Sequence, residues 1–226
     1  MEYPSAWLQG ASLGERIACE LRLQIIKGTL KQGTILSENQ LAGEFGTSRS
    51  PVREALKVLS NEGLIRLERM GPIVLGLTAK DIEELNDVRF LIENFVLQRL
   101  AKKNQDNLVK TLHQTIRKME LAAEHEDYIE FSYQDLYFHE QMIKETDHTR
   151  ILHLWNGIRH IVLTALFVAT KRRFTSGTHE LNPSLDQHRF IADALASRDP
   201  ETIKQIVLDH FADTRRTVSD IIVHAD

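Results

Sequence analysis

The chain holds a single cysteine, Cys19, in 226 residues, which excludes an intrachain disulfide and a thiolate metal cluster. Set in a helical apolar pattern, Cys19 reads as a core residue. From Met1 through Trp7 to Ile17 there is no basic n-region, long apolar run or small-residue cleavage site, so nothing there directs export. No stretch approaches the roughly 18 apolar residues of a membrane span; the longest, near Ile161 to Ala169, is broken by Thr164. The expectation is a cytoplasmic protein with no membrane partner. Histidine is missing before His113, although the chain has 10. A basic excess is missing too: the net charge of -4 argues against a nucleic-acid binder. That argument weakens once the chain is divided, because residues 1–78 hold 9 basic against 8 acidic residues and the remainder 19 against 24. Two parts of different chemistry, in a chain long enough for two modest cores, predict two domains. Neither an internal repeat nor a low-complexity segment is present.

What is there begins with helices. Ser12 and Glu15 have capping-box spacing, and Ile17, Ala18, Leu21, Ile25 and Ile26 recur at helical intervals until Gly28. Ser37 to Gln40 repeats the signature before Leu41, Ala42 and Phe45, and Gly46 stops this short second helix. A third opens around Ser48 to Pro51 and is expected to bury Val52, Ala55, Leu56 and Leu59, with Arg49, Arg53 and Lys57 on its other face. Beyond Gly63 the pattern alternates, Leu64, Arg66 and Glu68 against Ile65 and Leu67, and turns at Met70-Gly71-Pro72 into Ile73-Val74-Leu75, which predicts a small β-hairpin. Thr78 to Asp81 caps a new helix, giving domains at 1–77 and 78–226. The second domain reads helical throughout: Ile82, Leu85, Val88, Leu91, Ile92, Phe95 and Val96, then segments near 106–123, 127–145, 149–174, 184–197 and 200–223, with Asp199-Pro200 as N-cap and first residue. The fold class is mainly α: an N-terminal winged helix-turn-helix and a C-terminal all-α bundle of six or seven helices.

Helix, helix, turn, helix, hairpin is the order of a winged helix-turn-helix, whose third helix enters the major groove of double-stranded operator DNA. Arg49 and Arg53, four apart, project from one face near that helix's N-terminus, and each fork can bond guanine O6 and N7 together. Ser48 and Ser50 can offer hydroxyls to phosphate beside the helix's backbone donors. The alternative is a solvated face with the arginines paired to Glu54 or Glu38. In the second part, Asp135 and His139 are four apart and can face one interior point. His188, placed in the first turn of its helix before Phe190, Ile191, Ala194 and Leu195, and His210, amid Ile206, Val207, Leu208 and Phe211, join them as candidates. Each taken singly is more often structural than a ligand. Arg89 can hold a carboxylate or pair with Glu93.

The run Gly33-Thr34-Ile35-Leu36-Ser37-Glu38, then Leu41-Ala42, then Ser48 through Leu56, then Glu62-Gly63-Leu64-Ile65 resembles the signature of GntR-family regulators, and the C-terminal part resembles the FadR-type, or FCD, effector domain. The resemblance implies a homodimeric repressor of genes for sugar-acid uptake and catabolism, with base contacts from Arg49 and Arg53, a phosphate contact near Asn39, and Gly71 at the wing tip near the minor groove. It also implies an FCD metal site of Asp135, His139, His188 and His210. One carboxylate and three imidazoles suit a divalent transition metal such as Zn, Ni, Mn or Fe with open positions. A small carboxylate effector, gluconate or a related acid, could chelate it through a carboxylate and an α-hydroxyl. The alternatives are a metal-dependent enzyme, for which no further acid–base pair is placed to act, and an activator or a sensor of another acid such as lactate.

Overall fold

The computed structural model describes residues 2–102, 105–176 and 182–222, and the backbone divides into two compact units, Met1–Thr78 and Ala79–Asp226. Residue 223, the expected end of the last helix, lies outside the described residues, as do His179 and His224.

In the first unit, a 3-10 turn at Ser5–Leu8 precedes α1, Leu13–Ile26. Ser12 Oγ accepts from Glu15 N at 3.2 Å and Glu15 Oε2 accepts from Ser12 N at 2.7 Å, so the reciprocal cap is complete. α2, Glu38–Glu44, has only half of it. Ser37 Oγ accepts from Gln40 N at 3.3 Å, but the Gln40 side chain donates to Glu44 instead of returning to the cap. α3, Arg49–Asn61, buries Val52, Ala55, Leu56 and Leu59, as its periodicity predicts, and packs on α1 and α2. Arg22 and Glu62 are buried between α1 and the end of α3: Arg22 Nε donates to Glu62 Oε2 at 2.8 Å and Nη2 to Oε1 at 2.6 Å. The Glu62 carboxylate raises the Arg22 pKa against the opposing effect of burial, which is the largest single influence on it.

The wing is shorter than expected. β1, Ile65–Arg66, pairs antiparallel with β2, Ile73–Val74, in the register Ile65 with Val74. The expected alternation fails: Leu64 and Ile65 are both buried and Leu67 is exposed. Leu64 still belongs to the end of α3, its N–H donating to Leu59 O at 3.0 Å, so the period-2 geometry holds for only two residues. The segment before α2 lies along the hairpin, with Ile35 bridging Ile73, Gly33 N donating to Val74 O and Leu36 N to Pro72 O, both at 2.8 Å.

The second unit consists, among the described residues, of α4 (Ala79–Leu100), α5 (Asp106–Glu124), α6 (Tyr128–Glu145), α7 (Thr149–Ser176), α8 (Asn182–Ser197) and α9 (Pro200–Ile222). Asp199 caps α9 by accepting from the Glu201 and Thr202 amides, each at 3.3 Å. α6 packs on α5, α7 and α4, and α9 on α4 and α8. Two expectations are corrected. α4 does not turn its whole apolar set inward: Val88, Leu91 and Phe95 are exposed, while the buried stripe carries Asn86, Arg89 and Glu93 between Ile82 and Val96. α7 is long and apolar enough, by length and composition, to cross a membrane. Its Ile161, Val162, Leu163 and Phe167 are buried within the unit, where the helix packs on α6 and α4.

Candidate nucleic-acid interface and metal centre

α2 and α3 present the first candidate site. Arg49 and Arg53 are 52% and 55% exposed and share one face of α3. Both reach Glu38, the first residue of α2: Arg49 through Nε at 3.0 Å and Nη2 at 2.6 Å, Arg53 through Nε at 2.8 Å, all to the same oxygen, Oε2. Hydrogen bonds from Arg49 and then Arg53 hold the Glu38 pKa below the usual carboxylate range. The surface pairing with Glu38 weighed as an alternative is therefore made, and the one with Glu54 is not. Ser48, Ser50, Lys57 and Asn39 are exposed, and Ser48 starts α3 without a side-chain cap bond, leaving its hydroxyl uncommitted to the helix. At the hairpin turn Met70 is 81% exposed. Gly71 is set back from it, with φ +127° and a virtual Cβ that would lie 3.0 Å from Leu36 O and 3.1 Å from Ile35 Cγ2. Its lack of a side chain is required by this close approach.

The second candidate site lies inside the helical unit. α6 supplies Asp135 and His139, α8 His188, α9 His210 and α4 Arg89 and Glu93, all buried. His188 is in the second turn of α8, because the helix begins at Asn182 rather than near 184, and Phe190 and Leu208, expected in the apolar stripes, are exposed. Asp135 Oδ1 lies 3.6 Å from His139 Nε2 and 3.8 Å from His188 Nε2. Donor atoms of these three residues all fall within 4.8 Å of one another. The His210 ring stands 5.3 Å from that of His139 and 5.5 Å from that of His188, adjacent to the trio but outside its donor set.

The imidazole orientations are the telling feature. His188 Nδ1 is 2.7 Å from Ser184 O, a contact in which the ring nitrogen donates to the carbonyl. His139 Nδ1 is 2.6 Å from Glu93 Oε2 but poorly aligned for a directed hydrogen bond, so the contact is chiefly electrostatic. The Nε2 atoms of both rings are buried without a hydrogen-bond partner, an arrangement that costs roughly 1–3 kcal/mol per group unless something else occupies the lone pair. Donors about 2.1 Å from one ion stand roughly 3 to 4 Å apart, so a small contraction of the trio would suffice. Burial, followed by the neighbouring His139 and His188, pushes the His210 pKa well down. Burial alone would raise Asp135, but the neighbouring His188 and His139 imidazoles and the Arg89 guanidinium hold it well below the usual range. Burial likewise opposes ionisation of Glu93, yet His139 and Arg89 hold its pKa at about 2. Asp135, His139 and His188 thus form a buried cluster that can hold a metal ion, with the Glu93 carboxylate behind His139.

Arg89 Nε donates to Glu93 Oε1 at 3.1 Å, and its guanidinium carbon sits 5.4 Å from the centroid of Phe211. The same arginine lines a narrow cleft with Ile82, Leu85, Asn86, Val162, Ala165 and Leu166. Sequence reasoning placed Glu93 only as a partner of Arg89. The signal for more was a carboxylate in the Ile82–Val96 core stripe, where an ionised group needs partners.

Comparison with known proteins agrees with this division. Residues 13–75 match the family described as bacterial regulatory proteins, gntR family, and residues 84–213 match the FCD domain. The chain is 41% identical over 219 residues to the gluconate operon transcriptional repressor of Bacillus licheniformis, covering 97% of this chain and 90% of that protein. The repressor of the same name from Bacillus subtilis (strain 168) is 42% identical, with the same coverage. This chain belongs to the GntR family and carries an FCD domain. Among solved structures, a GntR-type regulator from Rhodococcus sp. RHA1 is similar with a TM-score of 0.65 at 25% identity, over 91% of this chain and 96% of that one. E. coli McbR/YncC shares the fold, with a TM-score of 0.70 at 17% identity over 93% and 98%. Members of the GntR family are DNA-binding transcriptional regulators, so the metal-dependent enzyme alternative falls.

Proposed function

We propose that the protein is a cytoplasmic, homodimeric repressor of gluconate-utilisation genes, released from its operator when gluconate or a closely related sugar acid enters the helical unit. The observation that carries the DNA-reading half is the shared, exposed projection of Arg49 and Arg53 from α3. In this reading both meet guanine edges, Ser48, Ser50 and Asn39 meet phosphates, and the turn at Gly71 approaches the minor groove. The 41–42% identity to two gluconate operon repressors, spanning both units, supports the choice of effector. The exposed stripe of Val88, Leu91 and Phe95 on α4 supports dimerisation through that face.

In the helical unit, Asp135, His139, His188 and His210 would hold a divalent metal such as Zn, Ni or Mn; the partnerless Nε2 atoms of His139 and His188 fit that role. Such an ion supplies a Lewis-acidic centre for two oxygens of the acid. Ser184 and Glu93 orient the two imidazoles, and Arg89 offers its guanidinium to the effector carboxylate. Because the cleft beside Arg89 is narrow, an entering acid has to part α4 from α7, and that repacking is what alters DNA affinity. The test uses a duplex enriched by the full-length chain from a random-sequence pool. Gluconate titrated into the complex is expected to weaken it by about 5- to 150-fold, the ordinary range of allosteric coupling, and a chelator is expected to remove the response. A flat titration with metal-loaded protein, alongside release by a different acid, would overturn the gluconate assignment.

A further inference from the structure

We infer that Glu38 is a specificity-determining residue: its carboxylate holds the two guanidinium forks in register and opposes sequence-blind binding to phosphate. The inference rests on the reading that Arg49 and Arg53 contact bases. One oxygen, Oε2, accepts from both arginines. Glu38 stands on a fixed post, since α2 is capped by Ser37 and buries Leu41 and Ala42 in a helix that packs on α3. The arginines, by contrast, are more than half exposed and would otherwise sample many rotamers. Ordering them before the encounter removes part of the entropic cost that a bidentate base contact would carry. Arg53 engages Glu38 through Nε, so its terminal amino groups remain available for a guanine edge.

Charge supplies the second half of the argument. Two cations and one anion leave this edge with a net charge of about +1 rather than +2, and non-specific affinity follows the number of phosphates neutralised. Bonds from both arginines favour the ionised form of Glu38, so the negative charge is present whenever DNA arrives. A carboxylate there penalises any duplex that does not repay it with base contacts, which is discrimination by repulsion as well as attraction. The simpler role for Glu38, an acidic residue favouring the N-terminus of α2, would affect stability alone.

The experiment measures dissociation constants of the full-length chain for its pool-enriched duplex and for a scrambled duplex of equal length, across a range of salt. In Glu38→Gln the scrambled duplex is expected to bind more tightly, the salt slope to steepen by about one, and the ratio of the two affinities to fall about tenfold or more, equivalent to roughly 1.4 kcal/mol. Glu38→Asp keeps the charge but shortens the reach, so affinity for the enriched duplex should fall while that for the scrambled one stays put. An unchanged ratio in Glu38→Gln, or equal losses on both duplexes that track the melting temperature, overturns the inference. Arg49→Ala and Arg53→Ala, run in parallel, separate the two failures. If they lose sequence preference while Glu38→Gln keeps it, this inference alone is wrong; if they keep it, the base-reading beneath it is wrong as well.

Discussion

Removing one member of the Arg22–Glu62 pair should unfold the DNA-binding unit far more readily than removing both. The two side chains are 1% and 7% exposed and joined by bonds of 2.8 and 2.6 Å, with Arg22 Nη1 also 3.5 Å from Cys19 Sγ. At an effective dielectric near 20, opposite charges about 4 Å apart attract by about 4 kcal/mol, which roughly offsets the desolvation of both groups while they remain paired. In Arg22→Met the Glu62 carboxylate stays buried with its partner gone, and the expected loss is about 3–5 kcal/mol. In the double variant Arg22→Met/Glu62→Leu no charge is left behind, and most of that loss should be recovered. Hydrogen exchange read on peptides from α1 and α3 reports opening of this unit without interference from the other. Exchange in the single variant as slow as in the wild type, or a double variant as labile as the single one, would refute the argument that desolvation governs this pair.

Three further outcomes follow from local geometry. Gly71→Ala places a Cβ 3.0 Å from Leu36 O at a φ of +127°, so it should cost about 1–3 kcal/mol and loosen the wing; thermal unfolding equal to wild type would count against the close approach. Glu140 accepts from Arg159 at 2.6 Å, Trp155 at 3.2 Å and Lys144 at 3.2 Å, and although burial opposes it, these partners, Arg159 foremost, lower its pKa. A carboxylate with a depressed folded-state pKa stabilises above its unfolded value of about 4.3 and loses that contribution as pH falls further. The stability gap between wild type and Glu140→Gln, measured by urea denaturation, should therefore be full at pH 7 and shrink toward pH 3, and a gap that widens on acidification would contradict it. Leu91, 67% exposed on α4, is expected to sit in the dimer contact, so Leu91→Asp should give a monomer in sedimentation equilibrium at concentrations where the wild type is dimeric. An unaltered dimer removes the α4 face from the account.

How much of this was legible in the sequence depended on whether the determining interaction was local. The Ser12–Glu15 cap, the four buried positions of α3 and the Asp199 cap of α9 are set by neighbours within a turn or two, and their spacing announces them. Asp135 and His139 share a helix face by the same logic. That His188 would arrive beside them is a property of how α8 packs, and periodicity carries no information about it; the family resemblance supplied what the spacing could not. Arg22 and Glu62 are 40 residues apart and were illegible for the same reason. α4 misled because its most apolar face is the exposed one: Val88, Leu91 and Phe95 look outward, whereas the buried stripe gives up apolar positions to Asn86, Arg89 and Glu93. The hairpin misled in the opposite direction, since Leu64 continues the packing of α3 and shortens the region in which alternation applies.

The most direct measurement is the position-by-position sequence preference of wild type, Arg49→Ala and Arg53→Ala, each selected against the same random-sequence duplex pool. Each variant should lose discrimination at one base pair per half-site, by about 1–3 kcal/mol, with the remaining positions intact. Profiles indistinguishable from wild type in both variants would contradict the claim that these two side chains read the operator.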